Sequence, residues 1–562
     1  MTADRSVGYI RATHGRAYEC KSTVFLEMSR YDVYDLGGEA RKLRIWMLGL
    51  NAFRFDDLSE PRLTSARAGL AGATSRVTFY QFGQRGFDFA FGIVLARLLS
   101  PADFGVVAAA TIFIQFAQLL VEIGIGATLV HMPVLTIRDL RAASTIIYIN
   151  AGVYALLSLA LAPVAERIVG ITGMQLVIQI LALQFLLQAP GIVPESILLR
   201  RLQADKVARI QFFTRVLFSG TVGIGLALLG WGYWALVAST LTGAGLKASA
   251  LFAVVRPPSK PLFEREAFRR VLSKGLGFSA SRLINFVAIR GDNTLVGYFF
   301  NAAALGLYSR AYNLMNLPAD LYATIAERVL FPAMARVHED RLRFRQAFLK
   351  CVELTATVGI PLSLSLYMTG PEVILVLLGP KWAGAIPLYQ ILALVTYFRL
   401  GMRVSTSSQR AAGATNSMIL TQTAYAALVF GGCLVAAPYG LQAIAIAVSA
   451  GVVIAYLLIS RAACEVTGAT LRDFLAGHRY GICLAILIDV PMFGVMQFAR
   501  SRSMPHAATL FAAMATFALI GGMIVLAAPA SLIGPTLHEF SARGKRSIVS
   551  WYRRRNNKVD MA

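Results

Sequence analysis

The sequence predicts an all-α polytopic membrane protein with about fourteen transmembrane helices, and three observations carry that fold class. Of its 562 residues, 56% are hydrophobic and only 15% are charged, with a mean hydropathy of +0.60; soluble domains carry about 25% charged residues. Apolar tracts of about 20 residues, the length that crosses a hydrocarbon core, succeed one another along the chain. Lys and Arg crowd every second connection between those tracts.

Taken in order, residues 1–74 are polar and rich in charge. They show no secretory signal and are expected to form a disordered N-terminal cytoplasmic extension, of which 1–70 is expected to be dispensable, with Met28 and Met47 as alternative starts. The first apolar tract, 77–98, contains "QRGFD", which puts Arg85 and Asp88 at i and i+3 on one helix face. Tracts 106–130, 143–163, 175–197, 209–229 and 232–255 follow, with Glu122 in the second and Arg215 in the fifth. Residues 75–255 thus make a first bundle of six helices. A polar connector, 256–276, contains "RPPSKPLFEREAFRRVLSKG" and joins it to a second bundle at 277–462.

The second bundle opens with tract 277–299, which holds Arg290 and Asp292. Tract 309–334 holds Arg310, Asp320, Glu327 and Arg328, with Asp320 and Glu327 seven apart on one stripe. Tracts 352–370, 384–402, 417–436 and 439–460 complete it. Two appended helices, 480–498 and 507–528, fill 463–530 and precede a basic cytoplasmic tail at 531–562.

The charge map gives the topology. Even-numbered connections hold Lys and Arg over odd-numbered ones by roughly five to one, the bias that marks cytoplasmic loops. Both termini are therefore expected in the cytoplasm. The same distribution accounts for the formal charge of +24 without a nucleic-acid partner, for which no motif is present. Five cysteines without a CxxC pair and six histidines without paired ligand spacing support neither a disulfide framework nor a metal site. No phosphate-cradling loop is present, so ATP drive is not supported.

"LARLLSPADFGVVAAA" (95–110) and "VGYFFNAAALGLYSRA" (296–311) each join the first helix of a bundle to the second, and Phe104-Gly105-Val106 matches Leu305-Gly306-Leu307. With six spans per bundle, this is a parallel repeat. The stretch "NFVAIRGDNTLVGYFFNAAALGLYSRAYNLMNLP", followed by "ERVLFPAMARVHED", resembles the polysaccharide transport family of the multidrug/oligosaccharidyl-lipid/polysaccharide (MOP) exporter superfamily, of Wzx and succinoglycan-exporter type. "LARLLSPADFGVVAAATIFIQFAQLLVEIGIGATLVH" agrees, and the resemblance covers about 75–530.

That resemblance implies a MATE-like fold of two lobes with alternating access in the bacterial inner membrane. The cargo it implies is an undecaprenyl-diphosphate-linked oligosaccharide, flipped to the periplasmic leaflet for exopolysaccharide or lipopolysaccharide biosynthesis. A polysaccharide polymerase and a chain-length regulator would be partners. No cofactor is expected, and coupling to H+ or Na+ is left open. A drug/cation antiporter of the same superfamily is the alternative, and would carry a more acidic cavity. A membrane-embedded polymerase or glycosyltransferase would need a sizeable external loop with catalytic carboxylates. The external loops here are short, so the chain is not expected to be an enzyme.

A diphosphate with sugars needs a wet, cationic cavity, and ionisable residues within spans face such cavities rather than lipid. Arg85, Asp88, Arg290, Asp292, Arg310, Asp320 and Glu327 are the candidates to line it. Guanidinium binds phosphate oxygens bidentately, and carboxylates compete for the arginines or take up protons. A structural reading stands beside each. Arg290 and Asp292 would pair with neighbouring helices or sit near a membrane face, Arg310 and Arg328 would snorkel to the interfaces, and Glu122 would be structural. Tyr298, Phe299 and Phe300 belong to an interfacial belt. Pro318 and Pro361 are either bending points or tolerated kinks.

Overall fold

The computed structural model describes residues 66–121, 125–132, 135–258, 260–272, 279–325, 330–527, 534–536 and 538. The chain divides into two units, Met1–Arg54 and Phe55–Ala562, and every described residue belongs to the second. Most of the N-terminal extension, the basic tail, Glu122, Glu327 and Arg328 lie outside the described residues.

The described chain is helical throughout, without a strand. Among the described residues, ten helices are long and apolar enough to cross a membrane, or eleven if one bent pair counts as a single span. They are α2 (Pro101–Val121), α3 (Ile137–Val169), α4 (Met174–Arg200), α5 (Ala204–Leu228), α6 (Trp234–Val255), α9 (Arg341–Met368), α11 (Thr415–Ala436), α12 (Leu441–Thr467), α13 (Leu471–Ser501) and α14 (His506–Ala527). The bent pair, α10, joins Pro380–Leu394 to Thr396–Ala411 at 40°. Three more helices, α1 (Ala66–Leu98), α7 (Ser279–Phe299) and α8 (Ala302–Ile325), are as long but too polar for the same test.

Several boundaries differ from the hydropathy reading: α9 starts at Arg341 rather than 352 and α13 at Leu471 rather than 480, and the starts of α1 and α8 move as well. Helix α1 begins at Ala66, inside the segment expected to be disordered, because "ARAGLAGA" is rich in the best helix former whether or not it is apolar. Helix α8 begins at Ala302, where Asn301 Oδ1 accepts the Ala304 N–H at 2.9 Å as a cap. The matching position before α2 is Ser100, which exchanges hydrogen bonds with Asp103 in a capping arrangement (Asp103 N to Ser100 Oγ 3.2 Å; Ser100 N to Asp103 Oδ2 2.9 Å). Thr136 and Asp139 cap α3 in the same way, and Gly170 closes it in the left-handed region at φ 72°. Neither Pro318 nor Pro361 interrupts its helix.

Taking α1–α6 as the first half of the helices and α7–α12 as the second, α1 packs on α5, and α4 on α3 and α6. Within the second, α7 packs on α11, α12 on α10 and α11, and α9 on α10. Helix α13 docks on α9, with α14 against it. The halves are joined chiefly by α2, which runs along α8 and touches α7. Near their starts α2 and α8 cross so closely that a Cβ on Gly105 would lie 1.7 Å from the Ala302 carbonyl oxygen, and one on Gly306 1.8 Å from that of Pro101. Only glycine fits at either position, the small-residue device by which membrane helices approach.

The connector is docked on the first half. Arg141 donates to the Lys260 and Pro261 carbonyls at 3.0 and 3.2 Å, and Arg270 pairs with the buried Asp139 at 3.0 Å. These contacts mark one end of the bundle, here the connector end; the α1–α2 and α7–α8 turns mark the other, the turn end.

Candidate functional site

The three polar helices α1, α7 and α8 hold every described member of the expected cavity lining. They also lie where the halves meet. Arg85, exposed on α1, donates from Nη1 to the Asp320 carbonyl oxygen of α8 at 2.8 Å. The Asp320 carboxylate is itself exposed and accepts from Asn316 Nδ2 at 3.1 Å. The structure thus brings Arg85 and Asp320 together across the two halves.

Asp88 is committed within the first half. Its Oδ1 takes the Arg215 Nε–H at 2.6 Å, while Arg215 Nη1 reaches Ser219 Oγ at 2.9 Å and the guanidinium lies 5.3 Å from the Phe91 ring centre. A π-helical turn, Thr214–Ser219, places that arginine; such one-turn insertions re-aim side chains, often at functional sites.

Arg290 and Asp292 part company, because residues two apart on a helix do not share a face. Asp292 is 3% exposed, inside the second half. It accepts Tyr308 Oη–H at 3.0 Å and the backbone and side-chain N–H groups of Asn293 at 2.7 and 3.0 Å. Arg290 is half-buried, on the α7 face shared with Phe286 and Thr294. Those two residues line a cavity of about 460 Å³ between α2, α3, α7, α8 and α11, walled by Phe113, Phe116, Leu305 and Phe430. Its wall is apolar, so it suits hydrocarbon rather than sugar or phosphate.

Arg310 has no carboxylate partner among the described residues and stacks on an aromatic ring instead. Its guanidinium carbon lies 3.8 Å from the centre of the Phe104 ring of α2, and its Nε is buried without a hydrogen-bond partner. Cation–π contact of this kind gains strength on desolvation. Arg85, Arg290 and Arg310 therefore have no carboxylate partner among the described residues.

Other charged groups at the junction were not singled out by the sequence. Arg97, at the end of α1, donates from Nε to the Leu377 carbonyl at 3.0 Å and from Nη2 to that of Val376. Trp382 returns a hydrogen bond from Nε1 to the Ala96 carbonyl at 2.8 Å, and its ring meets Phe104 edge-on. These contacts clasp the halves at the turn end. Within the second half, Arg399 of α10 donates to Tyr312 Oη at 3.1 Å, and its Nε and Nη2 are buried without partners among the described residues. Backbone acceptors leave no trace in sequence, but Arg399 does: it is a charge inside the tract 384–402. Among the described residues, no group of three or more His, Cys, Asp or Glu is placed to hold a metal ion.

A family model described as "Polysaccharide biosynthesis protein" matches residues 94–387, more than half of the chain. The succinoglycan biosynthesis transport protein ExoT of Rhizobium meliloti (strain 1021) is 27% identical over 315 residues, 56% of this chain and 63% of the relative. The teichuronic acid biosynthesis protein TuaB of Bacillus subtilis (strain 168) is 29% identical over 303 residues, 53% of this chain and 62% of the relative. This chain thus spans less than two thirds of the length of either. Among solved structures, the lipid II flippase MurJ in an inward closed conformation superposes with a TM-score of 0.61 at 13% identity, over 80% of this chain and 98% of that one. At that identity the likeness establishes fold alone.

Proposed function

This chain belongs to the polysaccharide biosynthesis protein family, and on that premise we propose that it is a flippase for a polyprenyl-diphosphate-linked oligosaccharide. It is a multi-pass membrane protein. In this reading the carrier is undecaprenyl diphosphate, and the sugar-bearing headgroup crosses from the cytoplasmic to the periplasmic leaflet of the inner membrane, supplying exopolysaccharide or lipopolysaccharide assembly. A polymerase and a chain-length regulator would take over the product.

The observation that carries the reading is the arginine surplus at the junction. Arg85, Arg290 and Arg310 sit on the helices that join the halves, and none has a carboxylate partner among the described residues. Unpaired charge within a span is costly and marks a path for a polar cargo, and guanidinium is suited to diphosphate. The same surplus repels a cationic drug. Asp88 and Asp292 act as supports: one orients Arg215, the other fixes α7 against Tyr308 of α8.

In this reading α1, α7 and α8 are spans as well, polar because they face the path, which brings the count to about fourteen. Two six-helix lobes, 75–255 and 277–462, are related by the parallel repeat, with Gly105 and Gly306 as its matched pair. The turn end is periplasmic and the connector end cytoplasmic. The clasp at Arg97 and Trp382 then closes the periplasmic side, leaving the cargo to load from the cytoplasm.

Headgroup flipping in proteoliposomes tests this. Vesicles holding the full-length protein should make a lipid-diphosphate-linked sugar, labelled in the inner leaflet, accessible to an external enzyme faster than protein-free vesicles do. Equal rates, with the protein folded and inserted, would reject the flippase reading.

A further inference from the structure

At the middle of α13 stands a carboxylate that the proposed path does not use. Asp489 is 0% exposed. Its Oδ1 accepts Ser365 Oγ–H of α9 at 2.5 Å, and its Oδ2 is buried without a hydrogen-bond partner among the described residues. Among the described residues it has no ion pair with Lys, Arg or His.

Its isolation reaches much further than the first contacts. On α13 no Asp, Glu, Lys, Arg or His other than Asp489 occurs between Arg479 and Arg500. On α9, which packs along α13, and in the three residues after it, positions 354–371 carry no charge, and on α14, packed on the other side, residues 507–527 carry none. Ten residues in each direction is about 15 Å of helix, so the charge-free slab is roughly as thick as the hydrocarbon core. The other titratable side chains in it are Tyr367 of α9 and Tyr480 and Cys483 of α13. Two apolar clusters flank the carboxyl: Leu484 and Ile488 with Phe517 and Ile520, and Met492 and Met496 with Ala513 and Met368.

A buried carboxylate with one hydroxyl donor and no cation cannot recover its lost hydration; such groups neutralise instead. We propose that Asp489 is a proton-binding site: a neutral carboxylic acid while α13 is packed on α9, releasing its proton when the two helices part and water reaches it. In that step the acid O–H bond breaks, the proton passes to a water molecule and the carboxylate remains. The ligand is the proton itself, and the proposal does not depend on the nature of the cargo.

The site is mechanically connected to the clasp. Eleven residues along α13, Arg500 is held bidentately by the buried Glu372, at 2.8 and 2.9 Å. Just beyond Glu372 lie the Val376 and Leu377 carbonyls that hold Arg97 of α1. Loss of the proton from Asp489 would therefore be felt, through the turn-end anchor of α13, where the two halves are fastened.

Difference infrared spectroscopy on the full-length protein in lipid nanodiscs reads the protonation directly. Wild type at neutral pH should show the carbonyl stretch of a protonated carboxylic acid, which alkaline titration removes reversibly. Asp489→Asn, a neutral isostere, should fold to the same level and lack that band. Should Asp489→Asn fail to accumulate, Ser365→Ala serves instead, and should shift the band without abolishing it. Arg500→Gln, which frees the turn end of α13, should lower the titration midpoint by about one pH unit, a tenfold loss of proton affinity. A wild-type spectrum with the Asp489 carboxylate ionised at neutral pH, or a band untouched by alkali until the protein unfolds, overturns the assignment. An unchanged midpoint in Arg500→Gln overturns the coupling to helix separation.

Discussion

Gly105 and Gly306 occupy the same crossing from opposite sides, one packed on the Ala302 backbone and the other on that of Pro101. Each lies four residues after its contact's counterpart, so α2 and α8 use one device twice. The backbones of the two halves touch there with no side chain between them.

A methyl group at either glycine must push the helices apart, since its obstacle is a backbone carbonyl rather than a mobile side chain. Gly105→Ala and Gly306→Ala should each destabilise the protein by about 1–3 kcal/mol, the usual cost of overpacking, and slow transport per folded molecule. Gly86→Ala, with nothing within 4 Å of the added carbon, should not destabilise the protein and should gain up to about 1 kcal/mol of helix propensity. Thermal unfolding in detergent separates the two cases, and equal melting of Gly306→Ala and Gly86→Ala would contradict the close crossing.

Opening at the turn end requires Arg97 and Trp382 to let go. Charged hydrogen bonds contribute about 1.5–3 kcal/mol each, so Arg97→Ala should raise the open population roughly ten- to a hundredfold. In a cysteine-free background, Leu305→Cys reports it, because Leu305 is fully buried beside the crossing. Its labelling by a membrane-impermeant maleimide should quicken when Arg97 is removed. An unchanged labelling rate argues that the clasp does not control access.

The arginines differ in what they should lose. Arg85→Ala and Arg290→Ala should weaken substrate capture roughly ten- to a hundredfold, with lysine intermediate because it keeps charge without the planar fork. Arg310→Lys should fare worse than Arg290→Lys, since the stacked contact with Phe104 favours a flat cation. Transport per folded molecule at limiting substrate is the measurement. Wild-type rates in all three alanine variants would remove these residues from the path.

Topology can be read separately from activity. Reporter fusions after Arg265 and Arg343 should behave as cytoplasmic, and one near Ala303 as periplasmic. A periplasmic Arg343 would invert the assignment of the two ends.

The helices were legible in the sequence because a membrane leaves so few options. Every backbone group must be satisfied within its own segment, and that demand writes long apolar tracts. Even polar α7 and α8 could be found, since Arg290 and Arg310 interrupt tracts that resume on either side. Direction was much less legible. Arg290 and Asp292 are two residues apart, and no periodicity says that only the carboxylate turns into Tyr308 and Asn293. Arg97 binds carbonyls about 280 residues away in sequence, and a backbone acceptor can belong to any residue type. Asp489 is visible as one charge in the tract 480–498, but hydropathy cannot tell a carboxyl packed on Ser365 from one facing lipid.

The polarity of α1, α7 and α8 also bears on how the chain is made. A charged residue at a helix centre costs about 2.5–3.5 kcal/mol in membrane insertion, so none of the three should enter a bilayer readily alone. Helix α8 emerges from the ribosome after its main partner α2 and can be received by it at once. Of the described helices α1 emerges first, and it packs chiefly on α5, which is synthesised more than a hundred residues later. It has to linger at the translocon, or at the membrane surface, until that partner arrives. The first of the described helices would then be among the last of its half to settle. Truncated nascent chains ending before residue 204 should leave α1 uninserted, whereas chains that extend past residue 228 should not.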